Sequence, residues 1–430
     1  MSSAVYKKQH QSRLKTVWSI LFKKRKSGSI KFSRKAKLKL TSYGLLVIIT
    51  VCLALIWYFW EEPLLSPLNS VGQFKFLATK PVTARQKNKV VYGFLPYWNL
   101  EKVKIQPELT HLSYFGLNIG PDGNIATRDE DGNLHPGYNK LNSDTLTRLS
   151  NQVNQTNNQV ELTLVQFEAD TIIEIINNEE AHQNLLTSLD SILLAYPISG
   201  INIDIEYNGE ITEELRDNFT SLIEKINQHL DQKFSKVQLS IDMYASASKN
   251  DQIWDVPRIG QAVDYIVVMA YDFHRTSSSQ AGPVAPLFGG EKKWDTDIHQ
   301  NLREYLRYVP NEKILLGIPF YGYEWQTDSR SPQANTYPKT GSTASYARVK
   351  DLLENSDDLQ VETGWDNLAL CPYLSYIEND EIFMIYYENP VSINFKMEYV
   401  RQLDLAGIAI WALGYEGQTR ELWDVVAKYN

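Results

Sequence analysis

A closed (β/α)8 TIM barrel is the fold predicted for residues 88–430, and three observations predict it. Eight short apolar runs recur, at 90–96, 112–117, 160–167, 200–206, 237–243, 265–271, 314–320 and 407–411. Helical patterns separate most of them; in the clearest, Leu215, Phe219, Leu222, Ile223, Ile226 and Leu230 share one face. Helices that cross between apolar strands imply a parallel sheet. No Gly-x-Gly-x-x-Gly loop follows the first run, which disfavours an open dinucleotide-binding sheet and leaves the closed barrel.

The elements ahead of the barrel are set by charge. Residues 1–42 hold 13 Lys and Arg and no Asp or Glu, and residues 43–60 hold no charge at all. The overall net charge of −8 therefore hides an outer part that is strongly acidic. The apolar segment is 18 residues long; as a helix it spans about 27 Å, close to the hydrocarbon thickness of a bilayer. Tyr43 stands at one end and Trp57, Tyr58 and Trp60 at the other, as interfacial aromatics do. A basic tail directly before such a segment serves the positive-inside rule rather than nucleic-acid binding. The expectation is one transmembrane signal-anchor at 43–60, with residues 1–42 cytoplasmic, a linker at 61–87, and the barrel domain at 88–430 outside the membrane. A cleaved signal peptide fits less well, because Glu61-Glu62-Pro63 is a poor cleavage site.

Composition narrows the chemistry. The two cysteines, Cys52 in the apolar segment and Cys371 outside it, supply no disulfide framework. The seven His are scattered and form no His-Glu-x-x-His, so no metal or cofactor is expected. The aromatic share of 12%, with 10 Trp and 25 Tyr, suits stacking on sugar rings as well as a large core.

The stretch between the seventh and eighth runs is too long for one crossover. It carries a helical pattern near 344–354, strand-like pieces at 372–377 and 382–388, and a helix near 392–403. A small α+β insertion at 322–389 is expected there, rising from the barrel's rim.

The fourth run, Ser199-Gly-Ile-Asn-Ile-Asp-Ile-Glu206, carries the chemistry. Ile201, Ile203 and Ile205 alternate with Asn202, Asp204 and Glu206, a period that sends the two sets to opposite faces of a strand. By itself the alternation reads as a strand with one wetted face. As a barrel strand it sends the polar set inward, with Glu206 at the C-terminal rim where barrel active sites lie. Two carboxylates about 6–7 Å apart along a strand cannot both ionise cheaply when buried, so one keeps a proton.

This octapeptide resembles the signature of glycoside hydrolase family 18, Asp-Gly-x-Asp/Asn-x-Asp-x-Glu. Met269-Ala-Tyr271-Asp272, Leu316-Gly-Ile-Pro319-Phe-Tyr321-Gly and Gly407-Ile-Ala-Ile-Trp411 are similar to the family's sixth, seventh and eighth strands, in order. Tyr386-Tyr-Glu388 adds a likeness to the bacterial spore-germination and cortex-lytic branch. The resemblance implies a retaining hydrolase of β-1,4-linked N-acetylglucosamine glycans, peptidoglycan or chitin-like, in which the substrate's own 2-acetamido group is the nucleophile. It implies Glu206 as general acid and base, with Asp204 orienting the acetamido group and raising the pKa of Glu206. Tyr271 would bond the acetamido oxygen, and Trp411 would form the floor under the sugar. Met269, Asp272, Asn202, Tyr97 and Tyr321 complete the expected substrate site, and Trp98, Tyr114, Tyr244 and Trp325 are further strand-end candidates. The alternative within the family is a non-catalytic glycan-binding relative, which would lack the acid at position 206. The sequence departs from the pattern at Ser199, where the signature's first acid stands, and in a third strand without Ser-x-Gly-Gly, which argues against a chitinase-like cleft.

Overall fold

The computed structural model describes residues 89–429 except Glu130, Asn157, Asn250, Asp251 and residues 356–358. The predicted tail at 1–42, membrane span at 43–60 and linker at 61–87 lie outside the described residues. Among the described residues no helix is long and apolar enough to cross a membrane.

The strands, in chain order, are β1 (Val90–Pro96), β2 (His111–Asn118), β3 (Gln159–Gln166), β4 (Gly200–Ile205), β5 (Gln238–Tyr244), β6 (Tyr265–Met269) and β7 (Ile314–Pro319). They continue as β8 (Tyr321–Thr327), β9 (Ser342–Ser345), β10 (Glu362–Asp366), β11 (Cys371–Glu378), β12 (Glu381–Tyr386) and β13 (Gly407–Trp411). The first seven and β13 form a closed barrel in the order β1-β13-β7-β6-β5-β4-β3-β2. Every barrel pair is parallel, and closure pairs Val90 with Gly407. All eight predicted runs are barrel strands, with ends displaced by two residues or fewer.

Helices fill the connections, and among the described residues six of them carry a side-chain cap at the N-terminus. The helices are α1 (Pro136–Leu141), α2 (Asp144–Asn154), α3 (Ala169–Asn177), α4 (Glu179–Ala195), α5 (Glu213–Lys233), α6 (Val256–Ala262), α7 (Ile298–Tyr305), α8 (Tyr346–Asn355), α9 (Pro390–Gln402) and α10 (Glu421–Val426). The Thr212 side chain accepts from the Leu215 amide to start α5, and Glu213 and Glu214 in its first turn favour the helix dipole. The α5 residues predicted on one face are all buried, together with Thr220. Ile201, Ile203 and Ile205 of β4 join them in the large apolar layer between barrel and helices.

The barrel interior is partly polar. Tyr92 donates to Glu161 Oε2 at 2.7 Å and Ser240 Oγ donates to the same oxygen at 3.1 Å. Asn202 Nδ2 donates to Ser240 Oγ at 3.0 Å and to Asp242 Oδ1 at 2.9 Å. These residues make one chain from the lower barrel to the rim. Gly200 is required by it: a Cβ there would lie 2.7 Å from the Glu161 carboxyl carbon. Burial pushes Glu161 up to about 7, against the hydrogen bonds from Tyr92 and Ser240.

β8 to β12 form the insertion, an antiparallel sheet in the order β10-β11-β12-β8-β9. The predicted α+β character is present, but β8, β9 and β10 were not among the expected strands. β8 continues almost directly from β7, so Tyr321 and Tyr323 rise along the cleft's edge. One face of the sheet buries Leu374, Tyr376 and Ile385 under α8. The other packs Tyr321, Tyr323, Trp325, Met384 and Tyr386 beside Tyr271 and Trp411. At the insertion's return, Glu388 accepts from Lys396 of α9 at 2.8 Å, with both side chains essentially inaccessible.

Two stability predictions follow from these buried charges. Folded Glu161 keeps its proton to about pH 7 while an unfolded glutamate loses it near 4.5, so its contribution is full below about 4.5 and is lost as pH rises through 7. Glu161→Gln should abolish that slope and exceed the wild type by about 3 kcal/mol at pH 8, with little difference at pH 5, in urea melts. Lys396→Met should cost about 3–5 kcal/mol by stranding Glu388, and Lys396→Met with Glu388→Leu should recover most of it.

Candidate active site

Barrel geometry concentrates polar side chains at the C-terminal rim. Asp204 points inward from β4, and Glu206 follows the strand's last residue, its amide held by the Gln166 carbonyl at 3.1 Å. Both line a chamber of about 280 Å³ with Asp242 and Tyr244 of β5, Met269 and Tyr271 at the end of β6, and Trp411 of β13. Asp272, Tyr321, Tyr323 and Arg275 complete its wall. A second chamber of about 550 Å³ shares Tyr244, Met269, Tyr271, Asp272 and Arg275, so the two form one cleft.

The electrostatics are dominated by burial. Glu206 is raised above the usual carboxylate range by burial first; the hydrogen bond from Tyr244 and the charge of Arg275 oppose the rise, and Asp272 adds to it. Asp204 lies well above that range, through burial and then the charges of Asp242 and Glu206. Asp204 and Glu206 are thus both raised, by burial first and then by the like charge of neighbouring carboxylates. Tyr271 is also held far above its ordinary value, by burial and then by Asp242 and Asp204, and remains a neutral phenol donor. Gly317 makes room for that ring: a Cβ would stand 2.9 Å from Tyr271 Cε1.

Asp272 adopts φ of +62°, in a region that Asp tolerates better than most residues. Its Oδ1 accepts from Tyr323 at 2.8 Å and also from Tyr321. Trp411 meets Phe115 edge-on at 4.6 Å and Phe94 at 5.7 Å, and its peptide to Ala412 is cis. Its carbonyl accepts from the Phe320 amide at 2.8 Å.

Of the residues expected from the sequence, Glu206, Asp204, Tyr271, Trp411, Met269, Asp272 and Tyr321 converge on the chamber. Two do not. Asn202 is fully buried one layer lower, engaged with Ser240 and Asp242. Tyr97 turns away to pack over Gly116, where an added Cβ would lie 2.7 Å from its ring. The neighbouring Trp98, 46% exposed, takes the place at the cleft that was expected of Tyr97. The chain leaves β1 through a 3-10 turn at Tyr97–Asn99, which breaks the strand's alternation. Tyr114 and Trp325 are wholly buried, bonded to the carbonyls of Gly137 and Arg275. Ser199 sits at the opposite end of β4, its hydroxyl exchanging hydrogen bonds with Val160.

Asp242, Arg275, Tyr323 and Tyr415 line the chamber without having been expected. For Asp242 a signal exists, since Ser240, Asp242 and Tyr244 alternate with Ile241 and Met243 as the polar set of β4 does. Among the described residues, no group of three or more His, Cys, Asp or Glu is placed to hold a metal ion.

Known proteins resemble this chain in sequence and in fold. The model of the family described as "Glycosyl hydrolases family 18" matches residues 82–416. The "Putative sporulation-specific glycosylase YdhD" of Bacillus subtilis is 25% identical over 344 residues, covering 77% of this chain and 74% of that protein. The fold is similar to that of the Ostrinia furnacalis Group IV chitinase, solved in complex with allosamidin, with a TM-score of 0.68 at 22% identity over 79% of this chain and 98% of that one. It is also similar to the Bacillus megaterium spore cortex-lytic enzyme SleL, with a TM-score of 0.60 at 17% identity over 81% and 76% of the two chains.

Proposed function

From the premise that this chain belongs to glycosyl hydrolase family 18 and is a glycoside hydrolase, we propose that it cleaves β-1,4 bonds of N-acetylglucosamine-containing glycans with retention of configuration. The observation that carries the reading is the meeting of Glu206, Asp204 and Tyr271 above Trp411 in one chamber. Glu206 stands at the rim with its pKa raised by burial, the direction that favours the protonated form a general acid needs to protonate a leaving oxygen. The substrate's acetamido oxygen attacks the anomeric carbon as that bond breaks, giving a cyclic cationic intermediate. Asp204 orients the acetamido nitrogen and opposes the new positive charge, while Tyr271 donates to the acetamido oxygen. Glu206, now a carboxylate, takes a proton from the water that opens the ring. Trp411 supplies an apolar face beneath the sugar.

The substrate proposed first is peptidoglycan or a related cell-wall glycan, with chitin-like oligomers second. Similarity to proteins named for sporulation and for spore cortex lysis supports that order. The uncharged residues 43–60 and the basic tail before them support a single-pass anchor, N-terminus cytoplasmic, that holds the hydrolase against the outer face of a lipid bilayer.

The full-length protein in detergent, incubated with purified peptidoglycan and chitin oligomers, should release new reducing ends detected by mass spectrometry. Glu206→Gln should lower that rate by about 10³-fold or more without lowering the melting temperature. Proton magnetic resonance should show the β-anomer first, and N-deacetylated oligomers should stay uncut. Because Glu206 must be protonated and its pKa is raised, kcat/KM should fall as pH rises through that value, on the alkaline side of an ordinary glutamate. If wild type and Glu206→Gln both leave every glycan intact, the proposed reaction is wrong.

A further inference from the structure

The cleavage reaction proposed above gives no task to Asp242, yet Asp242 is built into its floor. β4 and β5 pair in parallel with Asn202 opposite Ser240 and Ile203 opposite Ile241. Asp204 and Asp242 therefore occupy neighbouring inward positions of adjacent strands, and both line the reaction chamber. Each is almost fully buried, at 4% and 3% exposure. Two carboxylates so placed cannot both stay ionised, and one proton between them is the economical state.

The surroundings are unequal. Asp242 Oδ1 accepts from Asn202 Nδ2 at 2.9 Å, which favours charge on Asp242. Asp204 Oδ1 is buried and has no hydrogen-bond partner. Had position 202 been an acid, a third carboxylate would crowd this layer; the amide instead supplies a donor. The other ionisable groups that bear on the pair are Glu206 and Glu161, the phenols of Tyr92, Tyr244 and Tyr271, and Asp272 with Arg275 at the rim.

We propose that Asp242 is a positioning residue that shares a single proton with Asp204. The proton rests on Asp204 in the empty cleft and crosses to Asp242 when the cationic intermediate forms. The O–H bond of Asp204 breaks and an O–H bond of Asp242 forms. The pair keeps one negative charge throughout, and the crossing brings that charge to the carboxyl nearer the sugar. Opening of the intermediate by water reverses the transfer. The direction of the raised pKa values of both groups agrees with a retained proton.

The experiment uses the full-length protein with Asp242→Asn and with the exchange Asn202→Asp/Asp242→Asn, which moves the acid to the other end of the same hydrogen bond. Asp242→Asn should lower kcat about 100-fold with KM changed by less than about threefold, and should displace the acidic limb of the pH profile. The exchange should regain at least about tenfold of the lost kcat. A folded Asp242→Asn protein with unchanged kcat and pH profile overturns the proposal. So does an exchange variant that recovers the melting temperature but no activity, since that outcome marks a purely structural residue. Difference infrared spectroscopy supplies a reading without substrate. In a Glu161→Gln/Glu206→Gln background at neutral pH, which removes the two other barrel acids raised by burial, a protonated carboxylic acid should be present and should vanish on adding either Asp204→Asn or Asp242→Asn. Its absence from the parent overturns the pair. Its presence together with a wild-type protein that cleaves no glycan would retire the cleavage reading and leave the acid pair standing.

Discussion

The structure depends on the cost of keeping several carboxyl groups in a closed barrel away from water. Glu161, Asp204, Asp242 and Glu206 all sit inside or at the mouth of one strand ring. An isolated buried carboxylate loses several kcal/mol of hydration, so each must hold a proton, find donors, or face the solvent-filled cleft. Tyr92 and Ser240 serve Glu161, Asn202 serves Asp242, and Tyr244 with Arg275 attends Glu206. The polar residues of the interior form a ladder because each acid needs the next neighbour. The rim then carries acids whose hold on a proton is strengthened by burial, the condition for acid work above the ordinary carboxylate range.

The second requirement is shape. A parallel barrel alone offers a shallow dish at its C-terminal face. β8 leaves β7 with hardly a break and carries Tyr321 and Tyr323 upward, so the insertion is an extension of a barrel strand rather than an appended lobe. Those two phenols converge on Asp272, which tethers the loop after β6 to the insertion's first strand. Across the cleft, Phe115, Trp98 and Trp411 meet edge to face, an arrangement aromatic rings favour over flat stacking and one that leaves faces free for a ligand.

The barrel was legible because its strands are buried on both sides and its helices on one. Continuous apolar runs and a 3.6-residue stripe survive in such elements, and the strand ends fell within two residues of the predicted ones. The insertion was less so. β9 is Ser-Thr-Ala-Ser and β10 is Glu-Thr-Gly-Trp-Asp; neither has an apolar rhythm, and both exist because a neighbouring strand offers hydrogen bonds. The site divides the same way. Asp204, Glu206, Tyr271 and Trp411 were found from local motifs, whereas Asp242 acquires meaning only from the β4–β5 register. Asn202 and Tyr97 were misplaced because strand alternation specifies a direction and not a depth, and because it lapses at the turn after Pro96.

The Glu388–Lys396 pair closes the insertion at its far end, as the β7–β8 junction does at its near end. A wall anchored at both feet has little freedom to fold down over a ligand. Its conformational entropy is surrendered during folding, not during binding. A glycan therefore meets a groove whose form precedes it, and selection among sugars falls to fit at first contact instead of closure afterwards. Substitutions within β9 to β11 can then reshape that groove while the acids beneath keep their register.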